Sequence, residues 1–151
     1  MSNRGRAALE EDLRQAMRVQ VTAAVLMNQA IAAKVALNPV DLQALNLLSL
    51  RGPSSPKDLA EAMAMSRGGA VTAVIDRLEK SGYVRRTRES DDRRQVLVEL
   101  IRGEQMHRIV ELFDPLGEVL ADAAAHYSDT QVGLIADFMH RSNAALGFDR
   151  H

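Results

Sequence analysis

The 151-residue sequence has no cysteine and no tryptophan, and aromatic residues make up only 3% of it. The lack of cysteine excludes disulfides, thiol nucleophiles and thiol-based peroxide sensing. With so few aromatic side chains, the core has to be built from Leu, Val, Ile, Met and Ala, which favours helix-on-helix packing over a β-sandwich. Apolar residues still form 46% of the chain, which suffices for the core of about one domain.

Long apolar runs and catalytic motifs are missing as well. No run reaches the ~18 apolar residues of a membrane span, and the N-terminal MSNRGRAALEEDLRQ is too polar for a signal peptide. We therefore expect a cytoplasmic protein with no membrane partner. Because no phosphate-binding Gly-rich loop, HExxH motif or nucleophile elbow is present, we predict no enzymatic activity and no catalytic residues.

Metal and cofactor sites are not indicated either. The four histidines, His107, His126, His140 and His151, have no tight ligand spacing to one another. Glu104 and His107 are three residues apart on a predicted helix, a spacing that can hold a metal ion, but a solvated helix face explains the pair equally well. We predict no metal and no cofactor.

The charge is distributed unevenly along the chain. The formal net charge is −1, yet residues 51–102 carry 11 Lys/Arg against 8 Asp/Glu, a net of +3. Phosphate attraction depends on the local field, because screening acts over about 8 Å at physiological salt. The modest basic excess therefore allows a nucleic-acid partner for this middle segment.

Helical periodicity dominates the first third of the chain. From Ala7 to Leu37 apolar or small residues recur in steps of three and four, which predicts one long helix. Asn38 followed by Pro39 is typical of an N-cap and first helical residue, and predicts a second helix that ends near Gly52. The same device at Ser55-Pro56 predicts a short third helix.

A fourth helix and a hairpin follow. Ser66 is the predicted N-cap, and Val71, Val74, Ile75 and Leu78 form the apolar stripe of the helix, which Gly82 ends. Residues 83–88 and 95–100 are predicted strands around a polar tip at 89–94. A long helix after Gly103 and a final helix, opened by Ser128 and Gln131 as a capping box, complete the chain.

Two helices of unequal role followed by a two-stranded wing describe a winged helix–turn–helix, which reads DNA with its second helix. Small residues at Gly68, Gly69 and Ala70 would let the fourth helix approach the major groove, where Arg67 and Thr72 could contact bases or phosphate. At the hairpin tip, Arg93 and Arg94 suit a narrow minor groove, and Asp91 and Asp92 would orient them. A charged hairpin alone is common on any protein surface; its place after these two helices favours DNA.

The segment KDLAEAMAMSRGGAVTAVIDRLEKSGYVRR, followed by ESDDRRQVLVEL, resembles the MarR (multiple antibiotic resistance regulator) family along nearly the whole chain. The matching residues are Leu59-Ala60, Thr72, Asp76-Arg77-Leu78, Gly82 and Asp92-Arg93-Arg94. The resemblance implies a homodimeric transcriptional regulator, in most cases a repressor released by a small aromatic or anionic ligand. It also implies a mainly α fold with a small antiparallel β-wing. A winged lobe at 38–101 would be flanked by dimerisation helices at 1–37 and 102–151.

The predicted site residues fall into four groups. The recognition-helix contacts are Ser66, Arg67, Gly68, Gly69, Thr72 and Arg77; the wing contacts are Arg86, Arg88, Asp92, Arg93 and Arg94. Phosphate contacts at the start of the third helix are Ser54, Ser55 and Lys57, and the dimer-interface residues are Leu13, Met17, Phe113, Leu120, Ile135 and Phe138. The stretch 59–72 is one residue longer than the family pattern, so single base contacts are not assigned.

Duplex DNA, a second copy of the chain and a small organic effector are thus the expected partners. The effector would bind where the first, second and fifth helices meet. An alternative stays open: a winged-helix protein-interaction module without DNA binding, favoured by the acidic chain and by a lobe charge of only +3. A steep salt dependence of duplex affinity would distinguish the regulator from this module.

Overall fold

The computed structural model describes residues 5–65, 69–88 and 96–148. Its elements follow the order α1 (Arg6–Lys34), α2 (Pro39–Arg51), α3 (Pro56–Ala62), α4 (Ala70–Lys80), β1 (Val84–Arg88), β2 (Val96–Leu100), α5 (Glu104–Ala124) and α6 (Asp129–Ala145). This confirms the predicted mainly α class with a two-stranded antiparallel wing. The chain forms two compact units, Met1–Gln43 and Ala44–His151; the predicted division at 37/38 and 101/102 stays a prediction.

The first unit is largely the 29-residue helix α1, which ends three residues before the predicted Leu37. Ala36 takes a left-handed φ of 54°, and the Leu37 N–H donates to the Ala32 carbonyl at 2.9 Å. This bond closes the helix before Pro39, whose ring disfavours helical backbone at Asn38. Among the described helices, none alone is long and apolar enough to cross a membrane; α1 and α2 meet that test only as a bent pair, by length and composition.

The helix starts of the winged lobe agree with the sequence in one case and differ in the other. At α3, the Ser55 hydroxyl accepts the Asp58 N–H, as expected of an N-cap. At α4, the predicted cap Ser66 is wrong: the N-cap is Gly69, with φ 102°, and the first helical residue is Ala70. Glycine takes this left-handed backbone without the Cβ clash that other residues meet, so the chain can turn here without a side-chain cap.

The wing is anchored to the helix pair along one edge of its sheet. β1 pairs with β2 in antiparallel register, with Arg86 opposite Val98. The other edge of β2 is bridged by Ser54, whose N–H donates to Val98 at 3.0 Å and whose carbonyl accepts the Val98 N–H at 2.8 Å. Fully buried side chains fill the space beneath the hairpin; the largest in this unit are Leu45, Val74, Ile75, Leu78, Val84, Val98 and Ile109.

The ends of the remaining helices follow the sequence closely. Gly82 has φ 77°, and the Tyr83 N–H donates to the Leu78 carbonyl, which ends α4 as predicted. α5 begins at Gly103 with no side-chain cap. α6 begins with the predicted capping box: the Ser128 hydroxyl accepts the Gln131 N–H, and the Gln131 side chain accepts the Ser128 N–H.

Candidate nucleic-acid interface

The outer face of α4 is exposed and free of large side chains near its start. Thr72 and Ala73 are exposed, while Val74, Ile75 and Leu78 are buried against the lobe. Arg77 and Lys80 add exposed positive charge one and two turns further on. A helix whose exposed first turns are small and polar can enter a major groove closely, and basic side chains behind them suit the flanking phosphates.

Arg86 on β1 is tied to α4. Its Nη2 donates to Asp76 Oδ1 at 2.5 Å, its Nη1 donates to Glu79 Oε2, and its backbone N–H donates to Glu79 Oε1 at 3.3 Å. The hydrogen bond that Arg86 donates to Asp76 is the largest of the causes that raise the pKa of Arg86 above its ordinary value. The predicted wing contact is therefore occupied by two carboxylates of the recognition helix. Sequence reasoning missed Glu79, although its spacing of three residues from Asp76 places both on one helix face.

The other cations of the hairpin and of α4 differ in their pairing. Arg85 donates through Nε to Glu99 on β2. Lys80 and Arg88 are exposed, and neither forms an ion pair with another described residue. Both side chains can therefore meet an external anion.

At the start of α3, the predicted phosphate contacts have mostly internal partners. The Ser54 hydroxyl donates to the Gly52 carbonyl at 3.0 Å, and the Ser55 hydroxyl donates to Asp58 Oδ2 at 2.7 Å. Each hydroxyl has one donor, and both donors are used inside the lobe. Lys57 is exposed, 4.0 Å from Glu61, and is the one of the three that keeps donors available for a phosphate.

Six predicted site residues lie outside the described residues: Ser66, Arg67 and Gly68, which precede α4 in the sequence, and Asp92, Arg93 and Arg94, which stand between β1 and β2 in the sequence. The other predicted contacts on this surface are described: Gly69 is the N-cap of α4, Thr72 and Arg77 lie on α4, and Arg86 and Arg88 lie on the adjacent strand β1. The described interface is thus the body of the recognition helix together with the base of the wing.

Comparison with known proteins identifies this architecture. Residues 37–96 match the sequence model of the MarR family. An HTH-type transcriptional regulator of Bacillus subtilis (strain 168), YcgE, is 36% identical over 143 residues, which cover 94% of this chain and 92% of the relative. The chain belongs to the MarR family.

Solved structures agree at the level of the fold. A MarR family protein from Bacillus stearothermophilus has a TM-score of 0.70 at 18% identity, covering 95% of this chain and 99% of that one. RV1404 from Mycobacterium tuberculosis has a TM-score of 0.65 at 16% identity, with 97% of each chain covered. The role rests on the family match and on YcgE: the chain is a DNA-binding transcriptional regulator of the MarR family, a family of regulators and not of enzymes.

The residues predicted for the dimer interface lie on α1, α5 and α6. In the single chain, the predicted interface residues Leu13, Leu120, Ile135 and Phe138 are exposed, while Met17 and Phe113 are partly buried. No residue of α6 is buried. The large apolar side chains of Leu134 and Ile135 on this helix have exposed fractions of 66% and 46%.

A cleft of about 660 Å³ lies between the end of α2, the end of β2 and the start of α5. Its apolar lining is Leu48, Pro53, Leu100, Met106 and Val110, and its polar lining includes Glu99, Arg102 and His107. The Nε2 atom of His107 is 3.2 Å from Glu111 Oε1, one turn further along α5. Two of the three helices predicted to form an effector pocket, the second and the fifth, thus line this cleft.

Proposed function

We propose that this protein is a homodimeric repressor that binds a pseudo-palindromic operator in the cytoplasm, with one winged lobe on each half-site. The observation that carries the proposal is the surface of α4: an exposed Thr72-Ala73 step for the groove, with Arg77 and Lys80 behind it and the base of the wing alongside. In helix–turn–helix proteins this arrangement places the second helix in the major groove and the wing on the flanking backbone.

The homodimer is supported by the apolar faces of the terminal helices. A helix such as α6, which carries large apolar residues but buries none of them in its own chain, is stabilised when a partner covers that face. A two-fold dimer makes the operator an inverted repeat, with half-site centres about one helical turn or a multiple of it apart.

The proposal is tested by selecting a duplex from a random-sequence library with the purified protein and measuring its affinity between about 50 and 200 mM salt. We expect an inverted repeat and a steep linear fall of log K with log salt, because each phosphate contact adds about 0.9 to the slope. Lys80→Ala is expected to lower the slope by about one contact per lobe. Arg141→Ala removes the same charge from α6 and serves as the matched control.

Two results would contradict the proposal. No measurable duplex affinity would leave the protein-interaction module as the better account. A selected site without two-fold symmetry, bound by one chain, would contradict the homodimer.

Effector control is proposed from the cleft. Its apolar lining suits the body of a small organic compound, and Arg102 at its rim is exposed, which suits an acidic group on that compound. A ligand there would touch both the end of β2 and the start of α5, and so would act where the wing joins the following helix.

The test is a panel of aromatic carboxylates and their matched amides, added to the complex with the selected duplex. We expect a carboxylate to release DNA and its amide to act at least about tenfold more weakly, since a charged hydrogen bond is worth about 1.5–3 kcal/mol. Arg102→Gln should remove this difference while leaving ligand-free DNA affinity intact. Release by carboxylate and amide alike would assign no role to Arg102.

A further inference from the structure

The recognition helix carries a charge that is unfavourable for its task. Asp76 and Glu79 both lie on α4 with side-chain exposures of 59% and 40%. Two unscreened carboxylates on the helix that approaches a phosphate backbone would repel it, because like charges at an interface oppose association. Some other group has to offset them for tight binding.

That group is Arg86, which pairs with both carboxylates. Its guanidinium donates to Asp76 and Glu79 at once, so the three side chains together carry a net charge of −1 where the two carboxylates alone carry −2. The Arg86 side chain is 31% exposed, lower than the 65% of its neighbour Arg85. Two of the five N–H donors of the guanidinium, one on each terminal nitrogen, are engaged by these carboxylates.

The same contacts hold the hairpin in place. The Arg86 N–H lies on the edge of β1 that faces away from β2, where it donates to the Glu79 carboxylate at 3.3 Å. On the opposite edge of the sheet, β2 is bridged to Ser54 just before α3. The base of the wing is therefore attached to both helices of the helix–turn–helix, by backbone at one edge and by Arg86 at the other.

We propose that Arg86 is a positioning residue: it offsets one of the two negative charges of Asp76 and Glu79 on the recognition helix and holds β1 against α4, and it does not itself bind phosphate. We name the three residues Arg86, Asp76 and Glu79 the wing clasp. The proposal rests on DNA binding as proposed above for its effect on affinity, but its effect on the wing is independent of DNA.

The decisive experiment is a mutant cycle on the selected duplex. Arg86→Ala is expected to weaken binding about tenfold in the natural background, because it both exposes two carboxylates and frees the hairpin. In the Asp76→Asn/Glu79→Gln background the same change is expected to cost less than about twofold, since nothing is left to neutralise. Arg86→Lys, with one ammonium in place of a fork, should lie between Arg86 and Ala.

Arg85→Ala is the matched control, because it removes an identical charge from the adjacent residue of the same strand, and its partner Glu99 lies on β2 and not on α4. Its cost should be the same in both backgrounds. If Arg86→Ala costs equally in both backgrounds and lowers the salt slope by about 0.9, Arg86 is a direct phosphate contact and the proposal is wrong. No loss in either background would also overturn it.

A second measurement, on DNA-free protein, separates failure of the clasp from failure of DNA binding. Hydrogen exchange of the peptide that covers β1 should become at least about threefold faster in Arg86→Ala than in the natural protein, since local opening sets exchange rates. Arg85→Ala should change it less. If the natural protein binds no duplex, the proposed function fails, and unchanged exchange in Arg86→Ala would show separately that the clasp fails too. Sedimentation of each variant confirms that folding and assembly are retained.

Discussion

The Ser55 hydroxyl could cap α3 or contact a DNA phosphate, and in the structure it caps α3. The hydroxyl accepts the Asp58 N–H at 3.1 Å and donates to Asp58 Oδ2 at 2.7 Å, at the start of a helix of only seven residues. Ser55→Ala leaves the Asp58 N–H without its cap. N-cap losses of this kind cost about 0.5–2 kcal/mol, and we expect about 1 kcal/mol here.

Urea unfolding at a fixed protomer concentration measures this cost, because the stability of an oligomer depends on concentration. With a slope of about 1–3 kcal/mol per molar urea, the midpoint should fall by roughly 0.3–1 M. Ser55→Asn is the matched control: asparagine caps a helix about as well as serine, so its midpoint should stay near that of the natural protein. Equal destabilisation by both variants, or none by Ser55→Ala, would refute the cap as the reason for serine at this position.

The remaining predictions concern backbone, assembly and pH. Gly69→Ala should lower the stability of the protein by about 1–2 kcal/mol, since alanine is strained at a φ of 102°. Gly117→Ala, in mid-helix with nothing within 4 Å of its added Cβ, should instead raise the stability by about 0.5–1 kcal/mol. Thermal unfolding compares the two variants, and the opposite order would contradict the backbone argument. Ile135→Glu should shift sedimentation from dimer to monomer, unlike Gln131→Glu on the same helix; an unchanged dimer would exclude this face. The hydrogen bond from Arg141 holds the pKa of Asp137 below its ordinary 3.8. The pair therefore stabilises α6 at pH values above 3.8 and loses this effect as the pH falls through the lowered pKa. Carboxyl titration by NMR should show a higher Asp137 pKa in Arg141→Gln, and an unchanged pKa would contradict the pairing.

Much of the architecture follows from local patterns that a sequence displays. The Ser55 and Ser128 caps and the Gly82 stop each rest on residues within four positions of one another, and such short-range hydrogen bonds are encoded where they form. The wrong cap at Ser66 is instructive for the same reason. A serine before an apolar stripe satisfies the pattern, but Gly69 offers the chain a left-handed turn three residues later, and the helix begins there.

Contacts between side chains on different elements cannot be predicted from such local patterns. The sequence places Arg86 among the predicted wing contacts, and its seven-residue separation from Glu79 on α4 has no local signature. The pairing appears only when the turn at Gly82 folds β1 back along α4.

Pairing also changes what the net charge of the lobe means for DNA. The count of +3 for residues 51–102 treats every basic side chain alike, yet Arg85 and Arg86 are held by carboxylates while Lys80 and Arg88 are exposed without a described ion-pair partner. The potential near a groove is set by which charges are unpaired and where they lie. If Arg86 acts as proposed, a modest excess can serve a DNA-binding lobe, because repulsion from α4 is reduced while Lys80 and Arg88, which have no ion pair among the described residues, attract phosphate. At Asp76 and Glu79, the positive charge of Arg86 changes the combined charge from −2 to −1, as much as one added basic residue would.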